Sequence, residues 1–565
     1  MSSKSFNIKE YHNQLLFLPL GGCNEIGINV NLYHYQGKWL MVDCGSGFAD
    51  EHLPGVDMVV ADLSFIEKHK KDLLGLVLTH AHEDHLGAIQ YLWSSIECPV
   101  YATTFTANFL KIRLKDYEFA KRIKIQEVKA SSKLNLAPFS IEMIPLTHSA
   151  PEMQALMIRT EAGNILHTGD WKFDPDPVIG NKNDEKILSS YGDEGILALV
   201  CDSTNVFNAN VSGSEGNLRK SLVDIIASCP QMVVVTTFAS NLARLDTLIH
   251  AGQKAGRKVA LTGRSLHRIL QAAQDSGYLQ DINPIIDEKN ISKFKREELL
   301  IIATGCQGEP LAATSKMANN SHQTIKLAPK DTVIFSSKII PGNDKKIFRL
   351  FNTFVKAGVE VITERDHFVH VSGHPSILEL QKMYALTRPK ICIPVHGEPV
   401  HIHEHVKLAK KSGIKEAIEV ENGSLVLLDQ FQPKVIQRVE NGYLAVDGNC
   451  LLPTDSSIFR ARRRMRESGI VVASIILNKF SEIITEPILS MPGLLDFEDT
   501  EEDLQLINLI KKDVVDNLNI QRTETRGIIT DDQIENVVRA SLRRTIKGEI
   551  NKSPLIIINI KRVKN

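Results

Sequence analysis

Between the apolar run at residues 73–79 (LLGLVLT) and the segment at 86–93 (LGAIQYLW) stand three imidazoles and two carboxylates within six residues: His80-Ala81-His82-Glu83-Asp84-His85. The run reads as a buried strand and the segment after it as a helix, so the cluster sits on a strand-to-helix loop. A chain built this way must open that loop at the end of a sheet, with other strands ending beside it. Imidazole and carboxylate are ligand types that zinc favours, and alternate residues project to different sides, which serves two ions. One loop cannot complete two four- or five-coordinate ions. The remaining donors are expected at later strand ends. His148 follows the apolar run at 141–146, and Asp170 follows the run at 164–167, where a carboxylate could bridge two ions.

The rest of the chain has α/β grammar. Apolar runs at 15–22, 29–35 and 38–45 read as further strands of the first part. From about Gly213 the pattern becomes regular βα alternation: a helix over 217–228, a strand at 231–240, a helix over 242–255, a strand at 258–263 and a helix from Ser265. This predicts parallel strands joined by crossover helices, as in an inserted doubly wound domain. Strands at 332–337, 359–364, 368–373 and 390–397 then return to the style of the first part. Around 451–466 the chain reads as irregular and basic (FRARRRMR at 459–466), a linker face or a grip on a polyanion. Beyond it come a strand at 469–478, helices from about Glu501 and Asp531, and a last strand at 554–561. With 565 residues, the chain exceeds one core. The expected division is 1–208 for the first part of a main domain, 209–362 inserted, 363–445 for its second part, 446–466 as linker and 467–565 as a small α/β C-terminal domain.

Charge and cysteine usage narrow the classes. With 66 Lys+Arg against 67 Asp+Glu, the basic surface common among nucleic-acid binders is absent, although a strand threaded through an internal channel needs only a local positive lining. Eight scattered cysteines without a C-x-x-C pair argue against thiolate zinc and disulfides and predict buried, reduced thiols. The N-terminus lacks signal-peptide character, and no apolar run reaches membrane-spanning length, so a cytoplasmic protein without membrane attachment is expected.

The ordered series of His80, His82, Asp84, His85, His148 and Asp170 resembles the metallo-β-lactamase superfamily. Asp43 in LMVDCG matches its first motif. Three further segments, LVCDSTN with Asp202, HVSGHPS with His374 and IPVHGEP with His396, match the extra motifs of the nucleic-acid-processing β-CASP branch. The segments FLPLGG, TTFASN, TGCQGEP, FSSKIIPGN and PVHGE are similar to the bacterial ribonuclease J family over nearly the whole chain. Cys23-Asn24 departs from the small residues common there. The resemblance implies a metallo-β-lactamase αββα sandwich with an inserted β-CASP α/β domain and a small α/β C-terminal domain. It implies two zinc ions, or manganese in their place. His80, His82 and His148 would hold one, Asp84, His85 and His396 the other, and Asp170 both, while Asp43 orients ligands by hydrogen bonds.

By the same resemblance Asp202 orients His374, which protonates the departing 3′ oxygen. The products would be a 5′-phosphate and a 3′-hydroxyl. His396, found in the RNA-acting members, points to RNA. His370, Val371, Ser372, Gly373 and His374 would form a pocket for a 5′-monophosphate, faced by Ala239, Ser240 and Asn241, with Ser336 and Ser337 as lesser contacts. The implied activity is a 5′-to-3′ exonuclease on single-stranded RNA, with internal cuts where a strand passes the cleft, in rRNA maturation and mRNA decay. Family members also suggest a structural calcium at Asp57, with Asp455 as partner, and a homodimer through the C-terminal domain. The alternatives are a DNA-directed nuclease of the same branch, a small-molecule hydrolase, and an inactive RNA-binding subunit. The cluster His401, His403 and His405 is expected on a surface helix, His167 in the core, and His367 in a structural role.

Overall fold

The apolar runs of the first two hundred residues become sheets whose ends carry the histidines and aspartates. The computed structural model describes residues 8–495, 501–525 and 527–563 in two units, Met1–Gly47 with Val60–Tyr443, and Phe48–Val59 with Leu444–Asn565. In the first unit an eight-stranded sheet runs in the order Lys434–Arg438, Ser424–Leu427, Leu16–Gly21, Val30–Tyr35, Lys38–Val42, Leu73–Val77, Val100–Ala102, Ile125–Glu127. A seven-stranded sheet runs Glu416–Ala417, Ile391–Val395, Ala198–Asp202, Gly163–His167, Gln154–Thr160, Phe139–Pro145, Lys133–Leu136. Phe17, Tyr33, Leu40, Val42 and Val77 of the first sheet meet Phe139, Ile141, Leu156, Val200 and Ile393 of the second in one buried cluster. Leu18, Leu32, Met41 and Leu76, on the opposite face of the first sheet, are buried as well. Burial on both faces explains why these strands read as continuous apolar runs rather than alternating ones.

Helices cover the outer faces. Leu166, Leu199 and Cys392 pack against Leu188, Leu380, Met383 and Val406 from the helices Glu185–Glu194, Ile377–Thr387 and Pro399–Lys411. Thr104–Leu114 packs on Val100–Ala102 and Ile125–Glu127. The result is the expected αββα sandwich.

The insertion lies between Ala198–Asp202 and Ile391–Val395, which pair in parallel as neighbours. Its five strands, all parallel, run in the order Lys258–Thr262, Leu299–Ala303, Val233–Thr236, Thr332–Phe335, Glu360–Ile362. The apolar runs at 332–337 and 359–364 thus complete the inserted sheet instead of returning to the first part. Residues 368–373, expected as a strand, belong to no strand. Their backbone is bound by side chains and a loop: Ser221 Oγ donates to Phe368 O, Ser336 Oγ to Val369 O, and Ser372 N–H to Ser212 O.

In the second unit Ile470–Leu477 pairs with Ile488–Ser490 antiparallel and with Leu555–Arg562 parallel. Its alternate residues Val471, Ala473, Ile475 and Leu477 are buried against Ile510, Val514, Val538 and Leu542 of the helices Glu501–Glu524 and Asp531–Ile550. The basic stretch taken for irregular linker contains a helix, Ser457–Ser468, started by Ser456, whose side chain accepts the Ile458 N–H. Ala, Arg and Met are good helix formers, but only Phe459 is buried, so the apolar periodicity that marks a helix is missing. No described helix is long and apolar enough to cross a membrane.

Candidate metal centre

Three loops at the ends of strands deliver the site. His80, His82, Asp84 and His85 follow Leu73–Val77, His148 follows Phe139–Pro145 and Asp170 follows Gly163–His167, while Asp202 ends one strand and His396 directly follows Ile391–Val395. Ligand-type atoms fall into three overlapping groups, each within 4.8 Å: His80, His82, His148 and Asp170; Asp84, His85, Asp170 and His396; Asp170, Asp202, His374 and His396. Asp170 belongs to all three. Its Oδ2 lies 3.9 Å from His80 Nε2, 3.9 Å from His148 Nε2 and 3.2 Å from His85 Nε2, and its Oδ1 lies 3.0 Å from His396 Nδ1. Asp84 Oδ2 is 3.2 Å from His396 Nε2 and 3.6 Å from His85 Nε2.

The Nδ1 of His80, His85 and His148 is tied to the protein, so the Nε2 of each is free to face the group. Asp43 accepts the Thr79 N–H and Oγ1–H, both at 2.8 Å, and His85 Nδ1–H at 2.7 Å. With that hydroxyl committed, Thr79 Oγ1 accepts His80 Nδ1–H at 3.0 Å. His148 Nδ1–H donates to Gly373 O at 2.7 Å. Asp43 thus contacts His85 directly and His80 through Thr79. Asp43 and His396 both adopt left-handed backbone, with φ of 63° and 54°, strain that the surroundings must impose.

The donor set fits metal ions. His80 Nε2 and both Asp170 oxygens are buried without a hydrogen-bond partner, a cost that coordination would remove. Burial holds His80 and His148 well below the usual imidazole value and His82 at about 4, leaving them neutral. Burial also opposes charge on His85 and His396, yet Asp170, with Asp84, outweighs it and raises both. A cation entering that half of the site displaces protons.

Beside this group His374 Nδ1 lies 2.8 Å from Asp202 Oδ2, and Asp202 Oδ1 accepts the Thr204 N–H at 2.9 Å. Burial disfavours the charged imidazole, but Asp202 and Asp170 raise its affinity for a proton above the ordinary value. Of the phosphate-pocket residues, Val371, Ser372, Gly373 and Asn241 line one small cavity together with His148, Ser149, Ala243 and Lys172. Ala239 and Ser240 do not line it, and Asn241 Oδ1 already caps the helix Leu242–Lys254 by accepting the Arg244 N–H. His370 carries a buried Nδ1 without a partner. Ser336 is committed elsewhere, accepting from Arg244 and donating to Val369 O; Ser337 is buried.

Lys172 was not foreseen. It is buried in the pocket wall, its Nζ 3.0 Å from Asp174 Oδ2 and 3.0 Å from Gly213 O. The signal was its place two residues after Asp170. Of the histidines set aside, His167 is core and bonds Tyr33 at 2.9 Å. His403 is exposed and pairs with Glu419, but His405 is fully buried against Ser203, because the helix Pro399–Lys411 turns that face toward the sheet. His367 is exposed in a turn. Asp57 and Asp455 are exposed. Seven of the eight cysteines are buried and free; Cys450 is free and exposed.

An αββα sandwich with an inserted domain and a histidine-aspartate cluster at its strand ends defines a metal-binding hydrolase of the metallo-β-lactamase type. Family models agree segment by segment: "Metallo-beta-lactamase superfamily" over residues 24–186, "Ribonuclease J, beta-CASP domain" over 230–354, "Zn-dependent metallo-hydrolase RNA specificity domain" over 358–420 and "Ribonuclease J C-terminal domain" over 457–563. The chain is 37% identical to ribonuclease J of Sinorhizobium meliloti, covering 97% of this chain and 98% of that one. It is 29% identical to ribonuclease J2 of Bacillus subtilis, covering 96% of each. A crystal structure of a protein of unknown function from Enterococcus faecalis V583 shares the fold, with a TM-score of 0.50 at 18% identity over 73% of this chain and all of that one. The chain belongs to the ribonuclease J family.

Proposed function

We propose that this chain hydrolyses single-stranded RNA, removing nucleotides in the 5′-to-3′ direction from a 5′-monophosphate end and cutting internally where a strand threads the cleft. The observation that carries the reading is continuity. The Asp170-centred groups, the His374–Asp202 pair and the pocket of Ser372 and Gly373 adjoin one another, joined by the His148 Nδ1–H to Gly373 O bond. His80, His82 and His148 would hold one zinc ion, Asp84, His85 and His396 a second, and Asp170 both, with manganese able to serve in their place. Two such ions supply a water that is nucleophilic near neutral pH and offset the charge of the phosphodiester.

The protein's own groups do the rest. Asp202 fixes His374 through Nδ1, and the raised proton affinity of that imidazole suits it to protonate the leaving 3′ oxygen. A 5′-phosphate and a 3′-hydroxyl result. Ser372 and Gly373, with the Lys172 cation behind them, receive the terminal phosphate, and Val371 and Asn241 line the same cavity; Ala239, Ser240 and His370 would act from outside it. The domain limits 1–208, 209–362, 363–445, 446–466 and 467–565, a calcium ion at Asp57, a homodimer through the C-terminal domain, and cytoplasmic work in rRNA maturation and mRNA decay complete the proposal.

The test is the initial rate of mononucleotide release from 5′-monophosphate and 5′-triphosphate RNA at one fixed salt concentration, since phosphate contacts weaken with salt. The monophosphate end should react faster, and Ser372→Phe should erase much of the difference. Equal rates on both ends in the parent protein would sink the pocket while leaving the metal chemistry standing.

A further inference from the structure

The loop preceding Val30–Tyr35 is bent in a way its own sequence does not favour. Gly22, Asn24, Gly27 and Ile28 have φ of 88°, 72°, 103° and 54°. Asn tolerates this region, but a β-branched isoleucine there is an outlier that neighbours must enforce. Two of the enforcing groups, Asn422 and Tyr443, lie 397 and 418 residues from Glu25. Glu25 accepts the Gly22 N–H at 3.0 Å, Asn422 Nδ2–H at 2.9 Å and a short bond from the Tyr443 hydroxyl. Asn422 Oδ1 in turn accepts the Cys23 N–H at 2.9 Å. Cys23 and Glu25 both form backbone bridges to Gly397, next to His396.

Both ends of the loop meet the backbone of expected ligands. Gly22 O accepts the His396 N–H at 2.5 Å, on the residue held at a left-handed φ of 54°. Asn29 donates its N–H and its Nδ2–H to Asp84 O at 2.9 and 3.1 Å. Asp84 and His396 belong to the same group of ligand atoms, which contains neither His80, His82 nor His148.

We propose that Glu25, Asn422 and Tyr443 form a clamp that positions Asp84 and His396 for the ion they share, and has little hold on the other ion. The clamp rests on the two-ion reading above. Its members are positioning residues: they act through the loop backbone and are absent from the ligand groups. The Tyr443 hydroxyl is the most informative point to cut, because Phe removes its bond to Glu25 and the one it accepts from Asn422 Nδ2–H at 3.3 Å, and almost no volume. Glu25→Gln is the conservative variant, since its amide oxygen can still accept from Gly22 and Asn422 while its nitrogen donates to the Tyr443 oxygen.

The experiment is a zinc-binding isotherm of the full chain, read by competition with a chromophoric chelator and needing no RNA, for the parent, Tyr443→Phe, Glu25→Ala and Glu25→Gln. The parent should bind two ions. Tyr443→Phe and Glu25→Ala should keep one at parental affinity and bind the second about 10–100-fold more weakly, as for other partners that orient ligands, and Glu25→Gln should stay near the parent. In cleavage assays the first two variants should lose kcat at limiting zinc, recover it in excess zinc and leave KM for RNA unchanged. Isotherms of Tyr443→Phe and Glu25→Ala superposable on the parent's would overturn the clamp and spare the two-ion reading. Equal weakening of both ions with a lowered Tm would overturn it too, by showing general loosening. A parent that binds fewer than two ions would overturn both ideas.

Discussion

Gly373 is expected from the sequence in a phosphate pocket, and the structure adds a steric reason for glycine at this position. Its φ lies outside the left-handed region; a Cβ there would stand 2.7 Å from His148 Cε1. Glycine is needed so that the pocket segment can lie against a ligand ring and accept its Nδ1–H. Gly373→Ala should displace His148, lowering zinc content and cleavage together; unchanged zinc stoichiometry with parental turnover would remove this explanation. The neighbouring His374 makes a different prediction. A general acid contributes mainly in the transition state, so His374→Ala should cut the single-turnover rate by about a hundred- to ten-thousandfold while RNA binding survives. An unchanged rate at saturating RNA would end the proton-donor role.

Between elements, the inserted domain depends on a buried ion pair. Arg244, on the helix Leu242–Lys254, pairs with Glu215 of the helix Glu215–Ser228 at 2.8 and 3.0 Å and also holds Ser336 O and Oγ at 2.8 Å. Ser336 then bonds Val369 O, ahead of the pocket segment. Glu215→Ala leaves a buried guanidinium unpaired and should cost about 3–5 kcal/mol in chemical denaturation; a loss under about 1 kcal/mol would mean that water reaches the site. These helices and their strands were legible because apolar residues recur at the right period. Segment 368–373 was not, since Phe368, Val369 and Ser372 bond through their backbone to Ser221, Ser336 and Ser212 and not to a neighbouring strand. Nor was Ser457–Ser468, where Arg462 pairs with Asp447 at 2.8 Å and only Phe459 is buried, so no apolar stripe marks the helix.

Across the whole molecule, the fold brings together the expected ligands from His80 to His396, and that series could be picked out in the sequence because each follows an apolar strand. What could not be read were the polar side chains around those residues: Asn29, which donates to Asp84 O, Thr204, whose Oγ1 lies 3.1 Å from His396 Nδ1, Lys172 beside Ser372 and Gly373, and Glu25, bonded to Tyr443. None of them stands out until the fold supplies its partners, and no local pattern encodes those partners. The most direct test of the account compares the metal-stripped and zinc-restored parent with Asp84→Ala on 5′-labelled single-stranded RNA and a matched single-stranded DNA, with metal content measured alongside. The account predicts RNA cleavage only in the restored parent, little on DNA, and an inactive, folded Asp84→Ala with reduced zinc. Near-parental turnover by Asp84→Ala at full zinc content, or undiminished cleavage by the stripped parent, would contradict it.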